Sequence, residues 1–185
     1  MDKAQRTRMR LQECALEAFE RAGFERTTTA QIAAAAGVSQ VTFFRYFPSK
    51  EAAALWDPFD PMIAESIRRE TDAATALQAA CRGIWRTWST ADLTAVEPVA
   101  RRRVRLVAGS ATLRSAMWAG HADTEAALIG ALRERFDAFE SSAAAGACLG
   151  ALTTVLLTWA ETEPYPSLTS AIATALRTLD PEGIT

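Results

Sequence analysis

The chain has 185 residues, of which 49% are hydrophobic and 23% are charged, and its formal net charge is −2. This composition supplies enough apolar side chains for a core and excludes a generally disordered chain. The small net charge hides an asymmetry, because residues 1–50 hold eight basic and five acidic residues, whereas the remainder holds twelve and seventeen. A basic N-terminal piece on an acidic body favours a polyanionic partner for that end.

No uninterrupted apolar run approaches the roughly 20 residues that span a bilayer, and the polar start lacks the apolar stretch of a signal peptide. We therefore expect a cytoplasmic protein without a membrane partner. The widely spaced Cys14, Cys81 and Cys148 lie in apolar helical patterns and are predicted to be buried, reduced thiols. His121, the single histidine of the sequence, is read as a surface or pocket-lining residue. The sequence shows no metal-binding cluster, Ser/His/Asp set or phosphate loop, so we expect no enzyme, catalytic residue, metal or cofactor.

Helices are predicted nearly throughout the chain, because alanine is abundant and alternating β-type runs are absent. The first is expected at about residues 4–22, where apolar residues recur at the spacing of one helix face, and Gly23 supplies its end. The second begins at Thr28, whose hydroxyl forms a capping box with Gln31. It ends at Gly37 after only two turns.

A third, short helix is predicted from its N-cap Ser39 to the helix-breaking Pro48, and Ser49 caps a fourth. Two prolines within residues 57–61 interrupt the helical pattern, so we place a joint between two domains there. Pro98 is expected to kink one of the later helices. The predicted domains are residues 1–56 and 57–185. The helices predicted after the joint are at about 61–71, 74–89, 92–109, 111–136, 142–162 and 167–179.

Residues 28–47 have the spacing of a helix-turn-helix. Such a motif needs a small residue where two helices cross, a glycine four positions later in the turn, and an apolar residue six positions after that. Ala33, Gly37 and Phe43 meet these needs. The same spacing also occurs in generic helical hairpins. The two-turn second helix and a third helix too polar and too aromatic to be core on every face favour the DNA-reading motif.

The run from Leu11 to Leu55 resembles the N-terminal domain of TetR-family transcriptional regulators. The elements that carry the resemblance are Ala15 to Phe19, Gly23-Phe24, Thr27-Thr28, Ile32-Ala33, Ala36-Gly37-Val38-Ser39, Thr42-Phe43, Tyr46-Phe47 and Ser49-Lys50-Glu51. The resemblance implies an all-α fold, with an N-terminal three-helix helix-turn-helix domain followed by a helical ligand-binding and dimerisation domain. It also implies a sequence-specific transcriptional regulator. The expected protein is a homodimeric repressor that a small apolar or acyl-type effector releases from a palindromic, double-stranded DNA operator.

In this family the third helix lies in the major groove. Gln40, Val41 and Thr42 are therefore the candidates for base contacts, because glutamine pairs with adenine and apolar groups touch thymine methyls. The sequence departs from the family at Val41, where a small residue is usual, and at Phe44, where tyrosine is usual. Phe44 is left open between DNA contact and core, whereas Phe43 and Phe47 are assigned to the core. The candidate phosphate contacts lie mostly at helix N-termini. They are Thr28, Ser39, Tyr46 and Lys50. Lys3, Arg6 and Arg8 are read as an arm on the backbone or the minor groove.

Small and apolar residues on the last two long helices predict the dimer face, with the monomer core as the alternative. On the final helix the apolar stripe consists of Leu168, Ile172, Ala175, Leu176 and Leu179.

An apolar effector pocket is predicted from residues that also fit an ordinary core. The candidate lining residues are Trp85, Trp88, Met117 and Trp118. Arg105 belongs to the run Arg101–Arg105, which is read either as a solvated helix face or as a site for an anionic effector such as a CoA thioester. The segment Phe43 to Pro48, together with the following Trp56-Asp57, resembles the mycofactocin-type branch of the family. This resemblance implies acyl-CoA effectors. The alternative stays open that the protein binds DNA without a small-molecule effector. Such a protein would be of nucleoid type or regulated by a partner.

Overall fold

The computed structural model describes residues 3–57, 59–91, 93–94 and 96–184, and every regular element within them is an α-helix. This confirms the all-α class. The helices are α1 (Lys3–Ala22), α2 (Thr29–Ala35), α3 (Gln40–Tyr46), α4 (Lys50–Leu55), α5 (Asp60–Arg68), α6 (Ala76–Ser89), α7 (Val96–Gly109), α8 (Ala111–Leu132), α9 (Ala138–Glu161) and α10 (Leu168–Leu179).

The chain forms two compact units. The first comprises Met1–Trp56 and Val99–Met117, and the second comprises Asp57–Pro98 and Trp118–Thr185. The first unit thus contains α1–α4 together with most of α7 and the beginning of α8. A functional division after residue 56 stays a prediction, and Pro58, in the expected joint, lies outside the described residues.

In the first unit, α1 packs against α2 and α4, and α2 packs against α3. Most of the stripe predicted on α1 is buried, including Leu11, Ala15 and Phe19. Gly23 ends α1 as expected, because its φ of 85° lies in the left-handed region and its N–H donates to the carbonyl of Phe19 at 2.8 Å. These contacts form a small core beneath α2 and α3.

In the second unit, α6 packs against α5, α9 and α10, and α9 packs against α10. Leu168, Ile172 and Leu176 of α10 are at most 1% exposed in the single chain. These residues of the α10 stripe therefore lie in the monomer core, as the alternative had it, and a share of α10 in the dimer face stays a prediction. On α9, by contrast, Ala143 and Ala147 are exposed.

Two helix starts differ from the sequence prediction by four residues. The helix expected at 142–162 begins four residues earlier, because Asp137 is its N-cap and accepts from the N–H groups of Phe139 and Glu140 at 2.8 and 3.0 Å. The helix expected at 92–109 begins at Val96. Pro98 therefore lies in its first turn, where no intrahelical donor is needed, and the predicted kink was wrong.

Helix α9 is long and apolar enough, by length and composition, to cross a membrane. Uninterrupted apolar runs do not reveal this, because glycine and threonine divide the helix into short runs while its leucine, valine and alanine keep the mean hydropathy high. Ala144, Cys148 and Trp159 of this helix are buried among the helices of the second unit. The same composition is typical of the core helix of a helical bundle.

Two of the three cysteines are buried as predicted. Cys81 and Cys148 face each other with their Sγ atoms 3.7 Å apart. The hydrogen bond between them and their burial raise the pKa of Cys148 well above its usual range. Cys148 is therefore a protonated, unreactive thiol at neutral pH. Cys14 is only half-buried, so the prediction of full burial was wrong there.

A glycine allows a close approach of two helices in the second unit. A Cβ at Gly83 of α6 would lie 2.6 Å from the Cα of Ile67 on α5, and backbone cannot move aside cheaply. We expect Gly83→Ala to lower the free energy of unfolding by about 1–3 kcal/mol. Urea unfolding followed by circular dichroism measures this.

The matched control is Gly130→Ala on α8, where a Cβ would meet nothing within 4 Å. That substitution should be neutral or raise stability by about 0.5–1 kcal/mol, because alanine is the better helix former. Equal unfolding midpoints for the two variants would contradict the assigned close approach.

Candidate nucleic-acid interface

The turn between α2 and α3 is set by Gly37. Its φ is 66°, in the left-handed region that disfavours residues with a Cβ. The N–H of Val38 donates to the carbonyl of Ala33 at 2.9 Å, and that of Gly37 donates to Ala34 at 3.0 Å. This is the Schellman ending of a helix. It reverses the chain within three residues and so starts α3 across α2.

The inner side of α3 is anchored by aromatic residues. Phe43 and Phe47 are fully buried, which confirms their assignment to the core. The Phe43 ring lies 5.9 Å from that of Phe47, which lies 6.0 Å from the indole of Trp56. Ala33, at the predicted crossing, is 1% exposed. The three-point spacing of Ala33, Gly37 and Phe43 therefore produces the expected crossing.

The outer side of α3 carries two exposed apolar side chains. Val41 is 81% exposed and Phe44 is 49% exposed, and the two are three residues apart. Residues at this spacing lie on one side of a helix. The Phe44 ring stands edge-on against Phe43 at 5.6 Å, so the buried ring orients the exposed one. The structure thus places Phe44 at the surface rather than in the core.

The polar side chains at the start of α3 bond to one another and to α2. The Gln40 amide donates to Thr29 Oγ1 at 2.8 Å, which leaves its carbonyl oxygen available. Ser39 Oγ caps the helix by accepting from the N–H of Thr42 at 3.1 Å, and its hydroxyl lies 2.9 Å from that of Thr42. Ser39 and Gln40 are exposed, and Thr42 is half-buried.

The candidate phosphate contacts occupy different environments. Thr28 is exposed and forms the predicted capping box with Gln31. Tyr46 is half-buried, and the Arg45 guanidinium lies over its ring at 5.5 Å. The Lys50 ammonium donates to the carbonyls of Phe24, Glu25 and Thr27 at 2.7, 3.3 and 3.1 Å. Lys50 thus closes the loop that leads into α2, a role that the sequence analysis missed.

Arg8 does not belong to an arm. Residues from Lys3 onward are helical in α1, and the Arg8 guanidinium lies 5.4 and 5.5 Å from the rings of Phe47 and Trp56. Its Nη2 donates to the carbonyl of Tyr46 at 2.9 Å. A guanidinium over aromatic faces gains cation–π attraction, so Arg8 ties α1 to the end of α3.

The arginine run of α7 holds the first unit together. Arg102 forms a two-pronged pair with Glu20 of α1, with both contacts at 2.8 Å, and this hydrogen-bonded carboxylate raises the pKa of Arg102. Arg103 donates to the carbonyl of Trp56 at 2.7 Å. Arg101 is 6% exposed, so the prediction of a solvated helix face was wrong there, although Arg105 is exposed.

A second donor meets the carbonyl at the end of α4. The buried amide of Gln12 on α1 donates to the Trp56 oxygen at 2.6 Å. Helix ends leave carbonyls without intrahelical partners. Side chains of α1 and α7 together satisfy this one. In the sequence, Gln12 falls among the apolar positions of α1, which signals a buried polar group that needs a partner. The sequence does not show that the partner is the Trp56 carbonyl, 44 residues away.

The candidate effector residues are spread over both compact units. Arg105 and Met117 belong to the first unit, and the three tryptophans belong to the second. Trp88 is buried, with its ring 4.4 Å from that of Phe59, and Trp85 is half-buried. Trp118 is 57% exposed, and its ring stands edge-on to His121 at 5.0 Å. Burial lowers the pKa of His121, which is half-buried beside Thr153.

The three carbonyl contacts of Lys50 predict a stability role. We expect Lys50→Ala to lower the free energy of unfolding by about 1.5–3 kcal/mol, because hydrogen bonds to a charged group are lost and carbonyls lose their donor. Thermal or urea unfolding of the full chain measures this. Lys3→Ala, at an exposed position, is the control and should stay within about 0.5 kcal/mol of the parent. Unchanged stability for Lys50→Ala would show that its ammonium does not hold the loop.

Comparisons with known proteins agree with this geometry. The family model for bacterial regulatory proteins of the TetR family matches residues 13–53, and the MftR C-terminal domain model matches residues 71–182. The transcriptional regulator TcmR of Streptomyces glaucescens is 53% identical over 53 residues, which are 29% of this chain and 24% of TcmR. The match therefore spans about a quarter of that relative.

Two solved structures share the fold. SmeT, the repressor of a Stenotrophomonas maltophilia multidrug efflux pump, aligns over 100% of this chain and 95% of its own, with 19% identity and a TM-score of 0.58. The fatty acid degradation regulator FadR of Bacillus halodurans aligns over 93% of both chains, with 19% identity and a TM-score of 0.54. Because the MftR model alone covers more than half of the sequence, the chain belongs to the TetR family of DNA-binding transcriptional regulators, in its mycofactocin-type branch.

Proposed function

We propose that this protein is a cytoplasmic, homodimeric repressor that binds a palindromic DNA operator through α3. The observation that carries the proposal is the division of α3 into a buried inner side, with Phe43 and Phe47, and an exposed outer side, with Gln40, Val41 and Phe44. A short helix held by its inner side presents its outer side to the major groove.

The contacts divide between base edges and the DNA backbone. Gln40 and Val41 face outward at the start of α3 and contact base edges, with Thr42 beside them. Thr28, Ser39 and Tyr46 supply hydroxyl groups to phosphates, which fix the orientation of the protein on the duplex. Lys50 acts indirectly, by holding the loop before α2 through its three carbonyl contacts.

Dimerisation follows from the exposed side of α9. Ala143, Gly146 and Ala147 are exposed on a helix that is otherwise apolar, and small residues allow a second helix to approach closely. The two-fold symmetry of such a dimer matches the two half-sites of a palindrome. The apolar stripe of α10 is buried in the single chain, so the contacts proposed here are those of α9.

The proposed effector is a small apolar or acyl-type molecule. The match of residues 71–182 to the MftR C-terminal domain supports this class, because the resemblance to the mycofactocin-type branch implies acyl-CoA effectors. Trp85, Trp88 and Trp118 of the second unit remain the candidate apolar contacts. Release from DNA requires that the effector bind one conformation better than the other.

Selection of bound DNA from a random pool tests the operator proposal. We expect one enriched palindrome, whose half-sites lie about one helical turn, 34–36 Å, or a multiple of it apart. A protein without discrete specificity, of nucleoid type, would enrich no site. That outcome would overturn the proposed function.

Three variants then separate the contacts on the selected site. Tyr46→Phe should weaken binding to all sequences alike, and Gln40→Ala should change the preferred base. Lys50→Ala should also weaken binding, but the slope of log affinity against log salt should stay unchanged, because its charge already faces three carbonyls. A slope smaller by about one would instead indicate a direct phosphate contact. Fluorescence anisotropy titrations at several salt concentrations measure both quantities.

Long-chain acyl-CoA tests the effector class. We expect lauroyl-CoA to raise the melting temperature of the protein and to weaken operator binding by at least fivefold, the lower end of typical allosteric coupling. Free CoA, which carries the nucleotide without the acyl chain, is the control. A melting-temperature rise without any change in operator affinity would refute the coupling.

A further inference from the structure

The outer side of α3 presents exposed apolar groups beside its polar ones. Val41 is 81% exposed and Phe44 is 49% exposed, three positions apart on a helix of seven residues. The neighbouring polar groups are engaged within the protein: the Gln40 amide donates to Thr29, and the hydroxyls of Ser39 and Thr42 lie 2.9 Å apart. The part of α3 that points away from the core therefore carries, beside Gln40, an apolar ridge, defined here as Val41 and Phe44.

The ridge has a fixed shape. Val41 is β-branched and stiff at χ1 within a helix. The Phe44 ring stands edge-on against the Phe43 ring, which is fully buried, at 5.6 Å. Neither side chain has a hydrogen-bond donor or acceptor. Such a ridge cannot read a base through hydrogen bonds, so its match must be apolar.

The major groove offers one apolar group on its base edges, the C5-methyl of thymine. We infer that Val41 and Phe44 read two neighbouring thymine methyl groups in each half-site, and that they contribute to the sequence specificity of α3 beside Gln40. Three residues of helix rise by about 4.5 Å, and successive base pairs rise by about 3.4 Å, so the two side chains reach adjacent base-pair steps. The inference rests on the proposed function, in which α3 is the DNA reader.

Deoxyuridine substitution tests the inference at the level of one methyl group. Each thymine of the selected operator is replaced in turn by deoxyuridine, which lacks the methyl and keeps the same hydrogen-bonding edge. Burying one methyl group is worth about a fourfold change in affinity. We expect losses of about that size at two neighbouring base-pair steps in each half-site, and no loss at other thymines. Anisotropy titration at fixed salt measures them.

Protein variants assign each methyl to its side chain. In Val41→Ala one of the two deoxyuridine losses should disappear, and in Phe44→Ala the other should disappear, as in a double-mutant cycle. Met62→Ala, which removes a side chain 52% exposed on α5, is the control and should keep both losses. Where an alanine variant binds too weakly to titrate, Val41→Thr and Phe44→Leu replace it and should show reduced losses.

The outcomes separate this inference from the proposed function. A wild-type protein that binds its selected site and tolerates deoxyuridine at every thymine overturns the methyl readout while the regulator stands. A selected site without neighbouring thymines in its half-sites does the same. Losses that persist in both ridge variants assign the methyls to other residues and also overturn it. Failure to select any site overturns the proposed function itself.

Discussion

The reversal of the chain at Gly37 is the constraint on which the DNA-reading unit depends. With φ at 66°, Gly37 lets the N–H groups of residues 37 and 38 close the end of α2, and α3 begins two residues later. A Cβ at this position would favour a different backbone conformation. The burial of Phe43 and Phe47 beneath α3 follows from that reversal. So does the exposure of Val41 and Phe44 on its opposite side.

The end of α4 shows how distant parts of the sequence complete this unit. One carbonyl, that of Trp56, accepts from Gln12 at 2.6 Å and from Arg103 at 2.7 Å, while the Trp56 indole contacts Phe47 and Arg8. Residues of α1, α4 and α7 thus converge at the inner end of α3. Displacing Arg103 would leave a helix-terminal carbonyl with one donor fewer and would loosen the contact beneath α3. The α7 arginines are therefore structural members of the reading unit.

Local features were predictable from the sequence, and distant pairings were not. The caps at Thr28, Ser39 and Ser49 depend on residues three positions away, so their helix starts agree with prediction. The partners of Lys50 and Arg102 lie more than 20 residues away and leave no periodic signal. An apolar stripe such as that on α10 fits a core and a subunit interface equally well, because burial of apolar surface favours both folding and association. Only the packing of α10 against α6 and α9 decides between them.

The proposed apolar contacts of α3 limit how strongly one chain can prefer a specific operator over random DNA. Two methyl contacts worth about fourfold each give roughly a 16-fold preference for one α3 helix, and about 250-fold for two. Specific operators are bound about 10³–10⁷ times more tightly than random DNA. The preference that one chain provides is therefore far below this range. Two chains approach its lower end, and Gln40 and the phosphate contacts add further preference for the specific site. The proposed readout by the seven residues of α3 thus agrees with the proposed dimer, for which the exposed small residues of α9 offer a surface.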